Sequence, residues 1–518
     1  MGVSPMQCGH EKSILESVGA SSSLYDGVSA NLGHGQDARG THGRDARATG
    51  LVLVIVLVVV AMMSMIAAGV MYQARAEISA STASASRHQA KATAMSGIMY
   101  TAAVLKHSIN DPDVWLDNPT LFQNQFVCEV GGERWYFSIY APNPPEHKKP
   151  RFGVIDEAAK LSVNTAGEQA IKKLLSREKN GDELADCLLD WINPLDEPRP
   201  LGAGQEYYDS LSTPYRMKRG PLTTIEELLC IKGFTAMNVY GNDANLNGIL
   251  DPNEDDGDDS FPPDKADGKL DMGLRGLMTV GTWEPRPMDK IDLNRLRPND
   301  VANQLGDIGL SDDTILFIRI YRAENSTFTH ASQLLEMTYT LKNDFQVAEG
   351  NTLAKDTVLQ SGVGAEQLPL VMDKLIAVPG GGRGGGRGGG GMVLVGLLNV
   401  NSACAEVLAA VTNDDAVGKK IADTRESLSP EQKSNTAWLH TEGLLDADQY
   451  KAIAPRLTTR SYQFRIMCVG FAHPSGRYCI LEATLDLSRI NPRITYIRDI
   501  TRLGMPFATD VEKERENR

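Results

Sequence analysis

The sequence predicts an α+β fold: a long amino-terminal helix, a small antiparallel sheet, and a large, mostly helical domain inserted in the sheet region. The first observation is an uncharged apolar run, Leu51 to Tyr72, that continues into an alanine-rich stretch with few helix breakers up to about Ile109. The second is strand-like alternation of apolar and polar residues in two separated places, before residue 158 and after residue 458. The third is the pattern of the residues between these two places, where short helical segments are separated by Gly, Pro and Asn.

The apolar run is long enough to cross a membrane, because a helix of about 20 residues spans the roughly 30 Å hydrocarbon layer. The basic residues that precede it are Arg39, Arg44 and Arg47. They favour a cytoplasmic prefix and a body on the other side of the membrane. Two interpretations stay open here: a plain single-pass anchor, or a prepilin-type leader cut after Gly50 so that Leu51 becomes the amino terminus. Glycine suits such a cut because it has no side chain to obstruct a protease.

Composition along the chain predicts six parts. They are a leader at 1–50, a transmembrane and extended helix at 51–110, the first part of the sheet at 111–158, an inserted helical domain at 159–457, the last strands at 458–508 and a disordered tail at 509–518. The insertion contains an acidic segment at 241–271 and a Gly-Arg linker at 379–391. A phrase recurs three times within it, ending in Asn164, Asn294 or Asn401, and each Asn is expected to cap the helix that follows.

The net charge, the cysteines and the absence of catalytic motifs limit the classes of function that the sequence predicts. A formal net charge of -14 argues against a nucleic-acid partner. Cys468 and Cys479 flank a Pro-Ser-Gly turn between two expected strands, so they form either a cross-strand disulfide or two buried thiols. The sequence has no HExxH, no GxSxG, no phosphate loop and no paired-cysteine zinc spacing. An enzyme is therefore not expected.

The acidic segment matches the spacing of an EF-hand-type calcium loop. Oxygen ligands are required at positions 1, 3, 5, 7, 9 and 12, with a glycine at position 6 for the sharp turn. The residues at these places are Asp243, Asn245, Asn247, Gly248, Ile249 through its carbonyl, Asp251 and Glu254. Calcium is the expected ligand, because a merely solvated acidic loop would not need the two leucines, Leu250 and Leu270, within it.

Two further acidic clusters leave two interpretations open. A poorer copy of the calcium pattern follows at Asp264, Asp267, Gly268 and Asp271. A separate cluster among prolines and glycines consists of Asp190, Asp196, Glu197 and Glu206. Each cluster is either a second cation site or a set of turn, cap and solvated residues.

The motifs, taken in order, resemble the K-type minor pseudopilin of the type II secretion system. They are the apolar run after Gly50, then VIDEAAKLSVNTA, LADCLLDWINPLDEPRPLGAGQEYY, YRMKRGPLTTIEELLCIKGF, GLLNVNSACAEVL, FRIMCVGF and RDITRLGMPF. The resemblance implies a pilin-like helix and sheet, anchoring in the inner membrane, a periplasmic body and cleavage after Gly50. It also implies a role in starting and capping a pseudopilus that supports protein export.

The same resemblance implies the partners and a family cation. The partners are other minor pseudopilins at the tip, the major pseudopilin, the prepilin peptidase and the inner-membrane platform. Calcium is implied in the inserted domain, and the turn around Asp190, Asp196 and Glu197 lies in the shared motif. The fifth residue after the cut is Ile55 instead of the usual glutamate, which suits a subunit with no neighbour above it. The alternatives are a membrane-anchored calcium-dependent binding module or a minor pilin of a DNA-uptake machine.

Overall fold

A computed structural model of the protein describes residues 45–142, 150–193, 195, 197–297, 300–348, 351–378 and 393–507. These residues divide into two compact units, one ending at Ala80 and the other beginning at Ser81. Most of the predicted leader, the Gly-Arg linker at 379–391, the predicted tail at 509–518 and Asp196 lie outside the described residues.

The helices and strands have the following bounds. The α-helices are α1 Asp45–Ser108, α2 Pro112–Trp115, α3 Pro119–Phe122, α4 Glu168–Leu175, α5 Gly181–Ile192, α6 Gln205–Asp209, α7 Ala236–Tyr240, α8 Gly273–Leu277, α9 Val301–Gly306, α10 Asp312–Ala323, α11 Leu368–Lys374, α12 Ala405–Thr412, α13 Asp415–Arg425, α14 Trp438–Thr441 and α15 Ala447–Ile453. The strands are β1 Gln125–Val130, β2 Glu133–Tyr140, β3 Ile155–Asp156, β4 Leu161–Ser162, β5 Met278–Thr279, β6 Trp283–Pro285, β7 Ile291–Asp292, β8 Thr338–Thr340, β9 Phe345–Ala348, β10 Asn351–Leu353, β11 Val358–Gln360, β12 Leu375–Ile376, β13 Val393–Val395, β14 Leu398–Asn399, β15 Leu457–Thr458, β16 Gln463–His473, β17 Tyr478–Asp486 and β18 Arg493–Asp499. Short 3-10 helices lie at Glu157–Ala159, Ile225–Cys230, Pro252–Glu254, Ala331–Leu334, Gln432–Ser434, Ala454–Arg456 and Thr501–Leu503.

Helix α1 contains the apolar run that the sequence predicts. Within the first unit, every side chain from Leu51 to Ala80 is exposed. The helix is long and apolar enough to cross a membrane. Its apolar side chains would otherwise lie in water over several turns, which soluble surfaces avoid.

The main sheet has six strands in the part of the chain that the structure describes, in the order β1-β2-β16-β17-β18 with β3 beside β16. Its strand pairs are antiparallel. The first two strands form the predicted hairpin, in which Gly131 and Gly132 have φ of 63° and 81°, a region that glycine adopts without strain. Strands β2 and β3 lie along the same side of β16, opposite Met467 and Phe464 respectively. The long excursion between β3 and β16 therefore leaves and re-enters one sheet, and the predicted α+β fold class is confirmed.

In the second unit, α1 packs on the sheet through small residues. Ala90, Ala94, Ile98 and Ala102 recur every fourth position and are buried in one cluster with apolar residues of β2, β16 and β17. The opposite face of the sheet is covered by a second cluster that includes Ile500 and the following segment. Both faces are thus buried, which agrees with the nearly continuous burial of β16.

The excursion contains three similar modules built on one core. In the described residues, each starts with a two-residue strand, continues through at least three α-helices and at least one 3-10 helix, and ends in a strand that pairs in parallel with the first. The pairs are β4 with β5, β7 with β12, and β14 with β15. The phrase that recurs in the sequence marks the start of each module.

Asn164, Asn294 and Asn401 do not cap the following helices, so the predicted role was wrong. The N-cap residues of α4, α9 and α12 are Gly167, Asp300 and Cys404. The asparagine side chains bind distant backbone instead, because each lies in the turn after the module's first strand, several residues before the helix begins.

These asparagines hold separate parts of each module together. Nδ2 of Asn164 donates to the carbonyls of Leu222 at 2.9 Å and Val280 at 2.5 Å. Its Oδ1 accepts from the Leu222 amide at 2.7 Å. Asn294 repeats the arrangement in the second module. One side chain therefore satisfies backbone groups from two segments that would otherwise be buried without partners.

Gly470 of β16 allows the sheet to approach α1 closely. A Cβ at this position would lie 2.5 Å from the Ala94 amide nitrogen and 2.6 Å from the Ala90 carbonyl oxygen. We expect Gly470→Ala to lower the unfolding midpoint of the full chain in detergent, with an overpacking cost of about 1–3 kcal/mol. Gly281→Ala is the control, since a Cβ there meets nothing within 4 Å. Equal shifts for the two variants would contradict the close packing.

Candidate cation-binding loop

An acidic excursion, residues 242–272, leaves the first module between α7 and α8. Its ends meet at Gly241 and Gly273, which have φ of 65° and 56°. A Cβ on Gly241 would lie 2.0 Å from the carbonyl oxygen of Asp271, so only glycine fits. Asn242 closes this neck, because its amide donates to the Asp271 carbonyl at 2.9 Å and its Oδ1 accepts from the Asp271 amide at 2.7 Å.

The first part of the excursion is curled by bonds from side chains to nearby amides. Asp243 Oδ2 accepts from the Gly248 amide at 3.1 Å. Asn245 Oδ1 accepts from the amide of Asn247 at 2.9 Å, and Asn247 Oδ1 from the amide of Ile249 at 2.7 Å. Gly248 has φ of 69°, the sharp turn that the calcium pattern places at position 6. We call residues 243–254 the cation loop.

The side chain of Glu254 joins the end of the cation loop to its beginning. Its side chain is fully buried, with Oε1 accepting from the Ala244 amide at 2.9 Å and Oε2 from the Asp251 amide at 3.1 Å. Asp251 Oδ2 in turn accepts from the side-chain amides of Asn245 at 2.6 Å and Asn247 at 2.9 Å. The structure thus links the predicted ligand positions into one small ring of contacts.

The carboxylates of this ring fit a cation because their charges are poorly compensated. Asp243 is 2% exposed, and its Oδ1 has no hydrogen-bond partner among the residues described. Burial raises the pKa of Asp243 to about 6. Burial, together with the charges of Asp243 and Asp251, raises the pKa of Glu254 to about 7. Oxygen donors with uncompensated charge are what a hard divalent cation requires.

Across the described ranges, no three His, Cys, Asp or Glu side chains form a group that could hold a metal ion. In the cation loop, two of the ligand positions are asparagines, and a further one is the carbonyl of Ile249. Half of the six predicted ligand positions therefore offer amide or backbone oxygens instead of carboxylates.

The poorer copy of the calcium pattern is used for turns and a surface ion pair. Asp264 accepts from the backbone amides of Asp256, Gly257 and Ala266. Asp271 Oδ2 lies 3.2 Å from Nη2 of Arg177. Asp267 is exposed and its Oδ1 accepts from the Lys269 amide at 3.1 Å, while the Gly268 amide donates to Oδ1 of Asp255 at 2.7 Å. Of the two interpretations, the structure favours the turn-forming one.

The separate acidic cluster is not gathered into a site in the described residues. Asp190 is buried, and its Oδ1 lies 2.7 Å from Nη1 of Arg199, whose amide also donates to Oδ2 at 3.1 Å. Glu197 and Glu206 are exposed. Asp196 lies outside the described residues. Arg199 already neutralises Asp190, so a second metal cluster here is not supported.

Cys468 and Cys479 are free thiols. In the register of β16 and β17, Cys468 opposes Leu481 while Cys479 opposes Gly470. Diagonal neighbours in a sheet lie roughly 7–8 Å apart, beyond the Cα separation of about 4.4–6.8 Å that a disulfide needs. The structure therefore has two buried thiols and not the disulfide.

The predicted processing residues lie near the start of α1. Gly50 and Leu51 are consecutive helical residues, and the bond between them is the sixth of the helix. Cleavage after Gly50 stays a prediction.

Sequence reasoning missed three residues that the structure brings into defined contacts: Asn242, Arg275 and Glu482. Asn242 closes the neck, and its Nδ2 also donates to the Glu254 carbonyl at 2.9 Å. Arg275 of α8 and Glu482 of β17 form an ion pair of 2.6 Å between the first module and the sheet. The calcium spacing starts one residue after Asn242 and carries no signal for it, and the arginine and glutamate are 207 positions apart.

Comparison with known proteins finds a matching family for one part of the chain. A family model described as type II secretion system (T2SS), protein K matches residues 153–240. Residues 153–240 are therefore similar to this family. The predicted resemblance to this family is therefore confirmed over the segment from just before β3 to the end of α7. The cation loop begins three positions after the last matched residue.

One similar solved structure is the GspK-GspI-GspJ complex from the type 2 secretion system of enterotoxigenic Escherichia coli. The alignment covers 80% of this chain and 96% of that chain at 11% sequence identity, with a TM-score of 0.36. None of the curated protein sequences matches the chain.

The raised pKa of Glu254 predicts that the stability of the protein depends on pH when a chelator keeps it free of metal ions. Between its ordinary pKa of 4.5 and about 7, the folded state holds a proton that the unfolded state has lost. Raising the pH through this window therefore destabilises the metal-free protein, by an amount on the order of 1–3 kcal/mol. Glu254→Gln should remove this part of the loss when unfolding midpoints at about pH 5 and pH 7.5 are compared. Glu206→Gln, at an exposed position, should keep the wild-type difference, and equal differences in all three proteins would contradict the assignment.

Proposed function

We propose that this chain is a minor pseudopilin of a type II secretion system that starts and caps the tip of the pseudopilus. The observation that supports this most is the match of residues 153–240 to the protein K family. The first strand of this segment, β3, belongs to the same sheet that packs on α1. The matched segment is thus combined with a long apolar helix and a small sheet, as expected for a pseudopilin.

Helix α1 would have two roles, one before assembly and one in the fibre. Before assembly its apolar part, Leu51–Tyr72, would anchor the protein in the inner membrane with the sheet and insertion in the periplasm. In the fibre the same surface would pack against neighbouring helices. With Ile55 in place of a carboxylate, no charge would be buried there without a partner.

The partners that we propose are other minor pseudopilins, the major pseudopilin, the prepilin peptidase and the inner-membrane platform. A structural role is proposed and not a catalytic one, because no nucleophile, base and orienting group are combined in a known motif of the sequence. The net charge of -14 makes a DNA-uptake role the weaker alternative.

Processing after Gly50 is the first test. In cells with a prepilin peptidase, we expect the mature chain to begin at Leu51. Cleavage requires local unwinding of α1, and glycine lowers the cost of leaving a helix by about 1 kcal/mol relative to alanine. Gly50→Val should therefore leave the leader attached, as measured by mass spectrometry of the amino-terminal peptide. Gly69→Ala, a glycine change elsewhere in α1 with nothing within 4 Å, should be processed normally.

A wild-type chain that retains residues 1–50 in the presence of the peptidase would contradict the pseudopilin proposal. Salt-sensitive binding of DNA by the processed protein would favour the uptake alternative instead.

We further propose that the cation loop binds calcium. The residues that would hold the ion are Asp243, Asn245, Asn247, Ile249 through its carbonyl, Asp251 and Glu254. Calcium would supply the positive charge that the buried carboxylates lack, while Gly248 and the Asx-type bonds preserve the curl of the chain.

Calcium should raise the stability of the full chain. For an ion present at 100 times its Kd, the gain is about 2.7 kcal/mol. We expect Glu254→Gln to lose most of this gain in a thermal unfolding titration, because position 12 closes the ligand ring. Glu206→Gln should behave like the wild type. A wild-type midpoint that does not respond to calcium would refute the proposal.

A further inference from the structure

The asparagine clamp of the third module is incomplete. In the first two modules, Oδ1 of the asparagine accepts from the backbone amide of one residue, Leu222 at 2.7 Å and Phe328 at 2.9 Å. The asparagine Nδ2 donates to the carbonyl of that same residue. In the third module, Nδ2 of Asn401 donates to the Lys433 carbonyl at 2.9 Å. The buried Oδ1 of Asn401, however, has no hydrogen-bond partner in the described part of the chain.

Lys433 occupies the position that Leu222 and Phe328 have in the other modules. Phe328 lies two residues before His330, whose Nδ1 accepts from the amide two positions further along. Lys433 lies two residues before Asn435, whose Oδ1 does the same. Leu222 and Phe328 are buried, whereas Lys433 is half-buried. An apolar side chain is held in the core, but a lysine keeps its ammonium in water and holds the backbone less firmly.

The amide of Lys433 is used in a local turn instead of in the clamp. It donates to the Ser429 carbonyl at 3.1 Å. The turn 429–434 is otherwise exposed, and its last carbonyl, that of Ser434, accepts from the Thr459 hydroxyl at 2.9 Å. A hydrogen bond in an exposed turn contributes little, because water can replace either group, whereas a buried acceptor without a partner is costly. The Lys433 amide would therefore be at least as well satisfied in the clamp.

The turn also forms part of the wall of a large cavity. The cavity has a volume of about 1720 Å³, and its lining includes Asn401, Lys433 and Ser434 of the third module. Arg465 and Met467 of β16 line it as well. A movement of the turn therefore changes the wall of a space that the third module shares with the sheet.

We propose that the turn 429–434 is a conformational switch with two positions. In the position described above, the Lys433 amide donates to Ser429. In the other position it donates to Oδ1 of Asn401, and the third clamp is as complete as the first two. Lysine in place of an apolar residue leaves both positions accessible, and the exchange between them alters the cavity wall.

A double-mutant cycle on the full chain in detergent tests the second position. Lys433→Leu introduces the kind of side chain that the other modules have, so it should favour the complete clamp. Asn401→Ala should therefore lower the unfolding midpoint more in the Lys433→Leu background than in the wild type. In the wild type it should lower the midpoint less than Asn294→Ala, which removes three hydrogen bonds.

Hydrogen–deuterium exchange at the amide of residue 433, resolved by fragmentation of the peptide, gives a second readout. Exchange should be slower in Lys433→Leu than in the wild type, because a buried bond to Asn401 opens less often than a bond in an exposed turn. Lys433→Met serves the same purpose if the leucine variant does not fold.

The matched control is Lys420→Leu, which changes an exposed lysine of α13. It should alter neither the exchange at residue 433 nor the effect of Asn401→Ala. An effect of Asn401→Ala that is no larger with Lys433→Leu than in the wild type would overturn the proposal, as would unchanged exchange at residue 433. A wild-type effect of Asn401→Ala equal to that of Asn294→Ala would also overturn it, because the clamp would then be complete already.

Discussion

Two neighbouring carboxylates, Asp156 and Glu157, are buried where the sheet gives way to the insertion, and the joint depends on how their charges are satisfied. Glu157 Oε1 lies 2.7 Å from Nε of Arg465 and 3.1 Å from Nζ of Lys160, and Oε2 accepts from Thr279 at 2.8 Å. Burial alone would raise the pKa of Glu157, but these cations lower it below its ordinary range. Removing one partner of such a buried pair costs about 3–5 kcal/mol, because the other charge is left uncompensated.

Asp156 is satisfied by neutral donors from the other end of the insertion. Its Oδ2 accepts from Asn399, Ser402 and Ser461. Burial raises the pKa of this carboxyl, and the hydrogen bonds lower it only in part. Because Asn399 is in β14 and Ser461 lies two residues before β16, the third module is fastened to β3, the strand of the main sheet that precedes the first module. A long insertion is compatible with a small sheet because its two ends are held within a few ångströms.

The proposed functions depend on this joint in different ways. A pseudopilin subunit has to keep its sheet on α1 while its insertion remains exposed to partners, and the paired acids fix the insertion to the sheet without any contribution from α1. Arg465 contacts both Glu157 and Glu482, and Glu482 also contacts Arg275, which follows the acidic excursion on α8. These ion pairs, from Glu157 to Arg275, are therefore electrostatically coupled to one another.

The sequence by itself determined the features that depend on near neighbours: the apolar helix, the Gly131-Gly132 hairpin, the alternation of the last strands, the spacing of the cation loop and the motifs of the segment that matches the protein K family. Each of these is set by backbone preference or by residues within about one turn or hairpin of each other. Only the tertiary structure decided the roles of residues whose partners are distant in sequence. In the structure, Asn294 donates to the Val378 carbonyl instead of capping a helix, Arg199 forms an ion pair with Asp190, and Cys468 lies diagonally from Cys479. It also brought Arg275 to Glu482, and local patterns carry no information about such pairs because chain folding alone sets their distance.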